Sequence, residues 1–440
     1  MSPGLLIRSR FDRRQTAGGL LAVLMALAVL HGAVPEIPAW PAGVAAWLAA
    51  VLLGRDISSG QRLQVSVLIA LGVAALAWSH RRGVRLDLVG AIDQNHALLA
   101  MLAAVSFLRL VSVPVEDAPE SAPRGAQAYL RTLLGIHLFG AAINLSAVTI
   151  IGDRLAQTAA LERRTATLIS RGFSAAALWS PFFAGMAVVL TYAPGAQLPI
   201  LIGIGLPLAC CGLAYTFAEA IRSDPARLAR FRGYPIHFES LWVPGVLTGG
   251  VLLTHWVLPD WPVLTVITLL APVLTGLVLW LRQGGGEARS QTTAHTRGRL
   301  PEMAGELWLF LAAGVLAVGL RGVFAGIDGD LPFAVFTPGV AVVTLVAAVA
   351  LAAIGIHPII TVSALASWLA PIDPEPTLLA LVFLMTWSIG VALSPLSATH
   401  LTLQGRYGLP STGFFRWNLS YAVFMLALGA VGLHAYANAR

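Results

Sequence analysis

The chain has 440 residues, 57% hydrophobic and 11% charged, with a mean hydropathy of +0.78. That balance excludes an ordinary soluble domain and makes the bilayer the chain's solvent. The formal charge of +7 rests wholly on arginine, because lysine is absent. Spread over short loops between apolar runs, it is the charge pattern that orients a membrane protein and not a nucleic-acid surface.

In chain order, Arg8, Arg10, Arg13 and Arg14 precede the apolar run Gly18 to Leu30, with no small-residue cleavage site before Pro35. Residues 1–60 therefore read as a retained signal-anchor helix with a cytoplasmic N-terminus, followed by a peripheral segment. There, Ala39 to Leu53 has a proline-rich start and a short apolar run, which suits a half-membrane or interfacial element. With Arg81, Arg82 and Arg85 inside and the acidic stretch Glu116 to Glu120 outside, Leu63 to Trp78 runs inward. Three arginine-rich stretches, Asp153 to Arg171, Arg222 to Arg232 and Arg282 to Arg299, read as cytoplasmic loops, and the turns Ala193 to Gln197 and Pro259 to Trp261 as external. Leu307 to Leu320 then runs outward to Asp328 to Asp330, Phe333 to Ala353 returns to the turn at Gly355 to Pro358, and the next crossing ends outside at Pro371 to Pro376.

Two stretches repeat. Phe173 to Pro181 reads F-S-A-A-A-L-W-S-P and Trp387 to Pro395 reads W-S-I-G-V-A-L-S-P, in register at an offset close to half the chain. Each follows a polar-punctuated segment: Asn144, Ser146 and Thr149 in the first case, His357, Thr361 and Ser363 in the second. The turn between is basic in one half and acidic in the other, so the halves face opposite sides and the repeat is inverted. The fold class expected is an all-α polytopic membrane protein with roughly ten to twelve transmembrane helices, in two inverted-topology repeats with broken or re-entrant helices. Residues 61–220 form the first repeat, 221–304 connecting scaffold helices with cytoplasmic loops, and 305–440 the second repeat.

Pro181 and Pro395 are the helix-break residues. A proline removes a backbone donor and frees the carbonyl one turn upstream, here those of Ala177 and Val391, which become candidates for coordinating an ion. A helix restarting after each Ser-Pro would present an N-terminus that favours an anion. The alternative is a continuous kinked helix whose serines bond back to the backbone. Candidate substrate-binding residues are Asn144, Ser146, Ser174, Ser180, His357, Thr361, Ser388, Ser394, Ser397 and Thr399. Asn144 serves equally as a helix–helix hydrogen bond. His357 and His400 are candidate proton carriers, or interfacial and hydrogen-bonded histidines. Arg109, Glu219 and Arg321 fall near predicted span ends, leaving the spans almost free of charge and disfavouring a carboxylate proton relay. Cys210 and Cys211 are too few for a metal site, and there is no phosphate loop or nucleophile elbow. No catalytic residue, cofactor or nucleic-acid partner is expected beyond Na+ or H+ as a coupling ion.

This layout of two inverted halves, each with a polar-punctuated segment, a turn and a serine-rich broken helix, resembles the ion transporter superfamily, which includes divalent anion/sodium symporters and the large membrane subunits of tripartite dicarboxylate carriers. Members commonly carry Ser-Asn-Thr-type signatures at the hairpin tips, where this chain has Asn144-Leu145-Ser146 and Ser-Pro. The resemblance implies an elevator mechanism, an anionic organic substrate and a homodimer. The function expected is secondary active transport of a small organic anion across the inner membrane, coupled to Na+ or H+. A membrane-embedded enzyme or assembly subunit of envelope glycan or lipid synthesis and a cation/proton antiporter are the alternatives. On a background lacking Cys210 and Cys211, single cysteines near Thr165 and Asp373 should label from opposite faces of the membrane; labelling from one face would remove the inversion.

Overall fold

The computed structural model describes residues 3–112, 124–157, 159–233, 242–327 and 332–439, with side chains from residue 13 onward. Glu116 to Glu120, Asp328 to Asp330, and the side chains of Arg8 and Arg10 lie outside the described residues. The helices are α1 (Pro3–Ala33), α2 (Trp40–Leu53), α3 (Ser59–Arg81), α4 (Leu88–Asp93), α5 (His96–Ser106), α6 (Arg109–Ser112), α7 (Gly125–Ile143), α8 (Ser146–Ala156), α9 (Arg163–Ala176), α10 (Ala184–Tyr192), α11 (Leu198–Ser223) and α12 (Pro225–Ala229). They continue with α13 (Trp242–Val257), α14 (Val263–Gln283), α15 (Gly285–Ala294), α16 (Ala304–Ala325), α17 (Pro338–Ala353), α18 (Pro358–Leu369), α19 (Pro376–Leu393), α20 (Ala398–Tyr407) and α21 (Gly413–Asn438). Among the described residues, eight helical segments are long and apolar enough to cross a membrane, and α2, α17 and α18 are apolar but shorter. The chain is an all-helical polytopic membrane protein.

The chain forms two compact units that interleave in sequence: Met1–Val111, Val243–Pro332 and Ser363–Pro371 in one, and Ser112–Trp242, Phe333–Val362 and Ile372–Arg440 in the other. In the first unit, α1 and α2 pair as an antiparallel hairpin. His31 Nδ1 lies 2.5 Å from the Ile37 carbonyl oxygen at the turn, and Arg13 bonds Asp56 at 2.7 Å at the far end. α2 is one of the shorter apolar helices: at 1.5 Å per residue its fourteen residues rise about 21 Å, less than a hydrocarbon core of about 30 Å.

The opposite directions expected for α3 and α16 are corrected. α3 and α16 lie side by side and parallel: Gln61 meets Gly305, Gly72 meets Leu316, and Ser79 meets Gly322. The Arg81 end of α3 thus accompanies the end of α16 that leads toward Asp328, so the two ends share a side instead of facing opposite ones. The contact is possible because both helices present glycine. A Cβ on Gly72 would stand 2.8 Å from the Leu316 nitrogen, and one on Gly319 2.6 Å from the Gly72 carbonyl oxygen.

In the second unit, α7 begins where the Gly125 N–H donates to the Phe231 carbonyl at 2.9 Å, and Arg124 pairs with Arg232. The start of α7 therefore shares the side of the Arg222 to Arg232 stretch. α8 ends at the same level, where Asp153 takes two hydrogen bonds of 2.6 Å from Arg406 of α20, so α7 and α8 form a hairpin with Asn144 at its tip. α9 also starts there, with Arg164 donating to the Asp224 carbonyl at 3.1 Å. At the opposite level, the Gln197 N–H donates to Thr377 at 3.2 Å and Tyr436 to Glu375 at 3.2 Å. The broken pairs α9–α10 and α19–α20 therefore run in opposite directions.

Shifted by 214 residues, the offset that separates Ser174 from Ser388, α9, α10 and α11 fall on 377–390, 398–406 and 412–437, against Pro376–Leu393, Ala398–Tyr407 and Gly413–Asn438. α7 falls on 339–357 and α8 on 360–370, against Pro338–Ala353 and Pro358–Leu369.

Gly319→Val should cost roughly 1–3 kcal/mol by forcing α16 off α3, read as a lower thermal unfolding midpoint. Gly60→Ala, where a Cβ meets nothing within 4 Å, should cost nothing.

Candidate functional site

The first pair of breaks is laced together by side chains. α7 stops because Asn144 takes φ 51, a positive value that ends the helical run and that few residues other than glycine adopt. From there its Nδ2 donates to the Phe182 carbonyl at 3.0 Å, and its Oδ1 accepts from the Ala184 N–H at 3.2 Å, capping α10. α9 stops because Pro181 has no N–H to give Ala177. Ser180 donates to the Ala141 carbonyl at 2.6 Å and accepts from the Phe182 N–H at 3.2 Å. Each break supplies donors and acceptors that the other lacks.

The second pair follows the same logic with different residues. Gly355 takes φ 102 after α17 and packs on Leu396 inside the α19–α20 break, where a Cβ would come within 2.9 Å of that side chain. His357 Nδ1 accepts from the Ile359 N–H at 3.2 Å in the first turn of α18. The Ser394 hydroxyl accepts from the Leu396 N–H at 3.3 Å, and Ser397 caps α20 by accepting from the His400 N–H at 3.3 Å. His400 Nδ1 donates to the Ser394 carbonyl at 2.7 Å, which leaves Nε2 as the acceptor for the Ser170 hydroxyl at 2.7 Å. Its ring stacks on Phe414 with centroids 3.8 Å apart.

The two pairs also meet elsewhere. Ser388 donates to the Ser174 carbonyl at 2.9 Å. Trp387 lies against Gly185, where a Cβ would come within 2.8 Å of its indole, and stands edge-on to His357 at 5.6 Å. The structure thus gathers Asn144, Ser174, Ser180, His357, Ser388, Ser394, Ser397 and His400 around the breaks, mostly with their polar atoms bonded within the protein. Thr399 is buried, and Ser146 opens α8 half-exposed. Thr361 and Thr386 are buried with hydroxyls that have no partner. The carbonyls of Ala177 and Val391 face prolines that cannot serve them, and α8, α10, α18 and α20 all begin at the breaks.

A charged network beside the second break corrects the expectation that Arg171 belongs to a cytoplasmic loop. Arg171 lies inside α9 at 1% exposure. It pairs with Glu219 of α11 and donates to Asn418 Oδ1 at 2.8 Å and the Trp417 carbonyl at 2.7 Å. Tyr421 lies beneath its guanidinium at 5.1 Å. Asn418 in turn donates to the Ala392 carbonyl at 2.6 Å, in the last turn of α19. The signal that could have found it is a lone charge or amide in an apolar run: L-I-S-R-G-F, F-A-E-A-I and W-N-L. His137, which accepts from Trp179 Nε1 at 3.0 Å, was likewise outside the expected set.

At the end of α8, outside the candidate spans, partial burial pushes the Asp153 carboxyl up, but the hydrogen bonds and charge of Arg406 and the hydrogen bond from Tyr407 outweigh it and hold it below the usual carboxylate range. The stabilisation from this bridge is present above the unfolded carboxylate pKa and is lost as pH falls through the lowered folded value.

No protein-family model matches the chain, and no curated protein matches it. Among solved structures, the chain is similar to the YdaH transporter of Alcanivorax borkumensis, at 14% identity and a TM-score of 0.44, over 85% of this chain and 84% of that one.

Arg171→Met should destabilise the protein by about 3 kcal/mol, because it strands Glu219 and the Asn418 and Trp417 oxygens. The double variant Arg171→Met/Glu219→Leu, which copies Met385 and Leu433 at the positions 214 residues on, should recover more than half of that loss. Unfolding midpoints of the two variants provide the check.

Proposed function

We propose that this chain is a secondary transporter that moves a small organic anion across the inner membrane, coupled to Na+ or H+. One observation carries the reading: two helices in opposite directions, in register at 214 residues, break at Ser-Pro and touch through Ser174 and Ser388, six residues before each break serine. Inverted repeats with discontinuous helices at mid-membrane are the architecture by which transporters build one site reachable from either side. Four helix N-termini begin at the breaks, which favours an anion there. The unpartnered hydroxyls of Thr361 and Thr386, with the carbonyls of Ala177 and Val391, are the oxygens a coupling cation would use. His357 and His400 remain the groups for a proton. The elevator movement, a homodimer and the cytoplasmic N-terminus complete the reading on the strength of the resemblance and the charge pattern.

The test is uptake of a panel of mono- and dicarboxylates into proteoliposomes under an imposed sodium or proton gradient. At least one carboxylate should accumulate only with a gradient, and Asn144→Ala should lower its initial rate about tenfold, the loss of roughly one good hydrogen bond. Uptake that ignores both gradients would reject the coupled mechanism.

A further inference from the structure

A cavity of about 440 Å³ lies in the first unit, lined on one side by Gln15, Thr16 and Gly19 of α1 and on the other by residues of α15 and the turn that follows it, including Thr293, Thr296 and Arg297. We propose that it binds the phosphate of an anionic phospholipid headgroup, with Arg297 pairing its charge and Gln15 and Thr293 donating hydrogen bonds. The inference does not depend on the transport reading.

The cavity lies where the apolar span Arg13–Ala33 begins and where α15, mostly exposed and polar, leaves the end of α14 that carries Arg282. An interface between a span and a polar surface helix is the depth of lipid phosphates. The wall is built from backbone: Gly18 abuts the Thr296 carbonyl with no room for a Cβ, whereas a Cβ on Gly19 would meet nothing within 4 Å, leaving the mouth open. His295–Arg299 is a single π-helical turn, of the kind often found at functional positions. His295 is buried and its Nε2 lies 2.8 Å from the Ser106 hydroxyl, anchoring the turn while Arg297 stays exposed.

The chemistry of the lining fits a phosphate. Thr292 and Thr296 donate their hydroxyls to carbonyls one turn back, at 2.7 and 2.9 Å, so the donors facing the space are those of Gln15, Thr293 and Arg297. Among the described residues that line it, none is acidic. Arg13 and Arg14, on the neighbouring turn, lie 2.7 and 3.7 Å from Asp56, which counters their charge. A guanidinium with an amide and a hydroxyl is a phosphate-binding set.

The experiment titrates the purified full-length protein in detergent with dioctanoyl phosphatidylglycerol, dioctanoyl phosphatidylcholine or inorganic phosphate, and reads the thermal unfolding midpoint. Phosphatidylglycerol should raise the midpoint while the other two, at equal concentration, do not. Arg297→Gln should cut that rise by more than half, and Arg282→Gln should leave it intact. Gly19→Leu, whose Cβ would meet nothing within 4 Å and whose side chain extends into the mouth, should also abolish the rise and provides the reading if Arg297→Gln fails to fold. A wild-type response in both variants, or an equal response to phosphatidylcholine, overturns the site; an equal response to inorganic phosphate overturns the lipid as its source.

Discussion

A helix that breaks inside a bilayer leaves backbone groups with no water to serve them, and each one left unmet costs several kcal/mol. The second unit of this protein is organised around that constraint. Ser180 covers the Ala141 carbonyl, Asn144 covers that of Phe182, Ser388 that of Ser174, and His400 that of Ser394. The bonds of Ser180, Asn144 and His400 lie at the breaks, and that of Ser388 joins α19 to α9 six residues before the Ser-Pro serines. The breaks are consequently not weak points but the places where the helices of this unit are cross-linked most densely by polar side chains.

The register between the halves makes one departure from symmetry informative. Ser170, Arg171, Glu219, His400 and Asn418 correspond, at 214 residues, to Leu384, Met385, Leu433, Met186 and Ile204. The same helix contacts are therefore made by a charged network at one end of the unit and by apolar packing at the other; Gly429 of α21, for instance, lies against the Met385 sulfur, where a Cβ would come within 2.9 Å. Since hydrophobic packing suffices in one half, the ion pair is not required to hold the helices together. What it adds is position: Asn418, oriented by Arg171, donates to the Ala392 carbonyl just before Ser394, so the second break is held in place by a charge and the first is not.

The Ser-Pro pairs were legible in the sequence because proline's missing donor is a covalent fact that needs no tertiary context. The tips at Asn144 and His357 were legible as polar residues in apolar runs. Arg171 was not, because it follows Arg163 and Arg164 at a distance where a loop and the first turns of a helix carry the same charge count. Its partners Trp417 and Asn418 lie 246 and 247 residues away, and no local pattern reports a contact of that span.

The parallel packing of α3 on α16 means that the charge rule cannot hold for both helices. Within the first unit, one end gathers Arg13, Arg14, Arg55, Arg62, Arg109, Arg282, Arg289, Arg297 and Arg299, and the other gathers Arg81, Arg82, Arg85 and Arg321. The rule compares the two sides of a whole protein, so a basic turn on the poorer side is outvoted. The minority arginines also have local partners that lower the cost of their position. Arg82 lies over the Trp78 ring at 5.1 Å, and Arg321 donates to Gln94 at 3.0 Å. The glycine contacts that lock α3 to α16 fix direction through van der Waals fit at sub-ångström tolerance, whereas a loop's charge biases insertion by about a kcal/mol per residue. Where the two disagree, packing determines which way the helix runs.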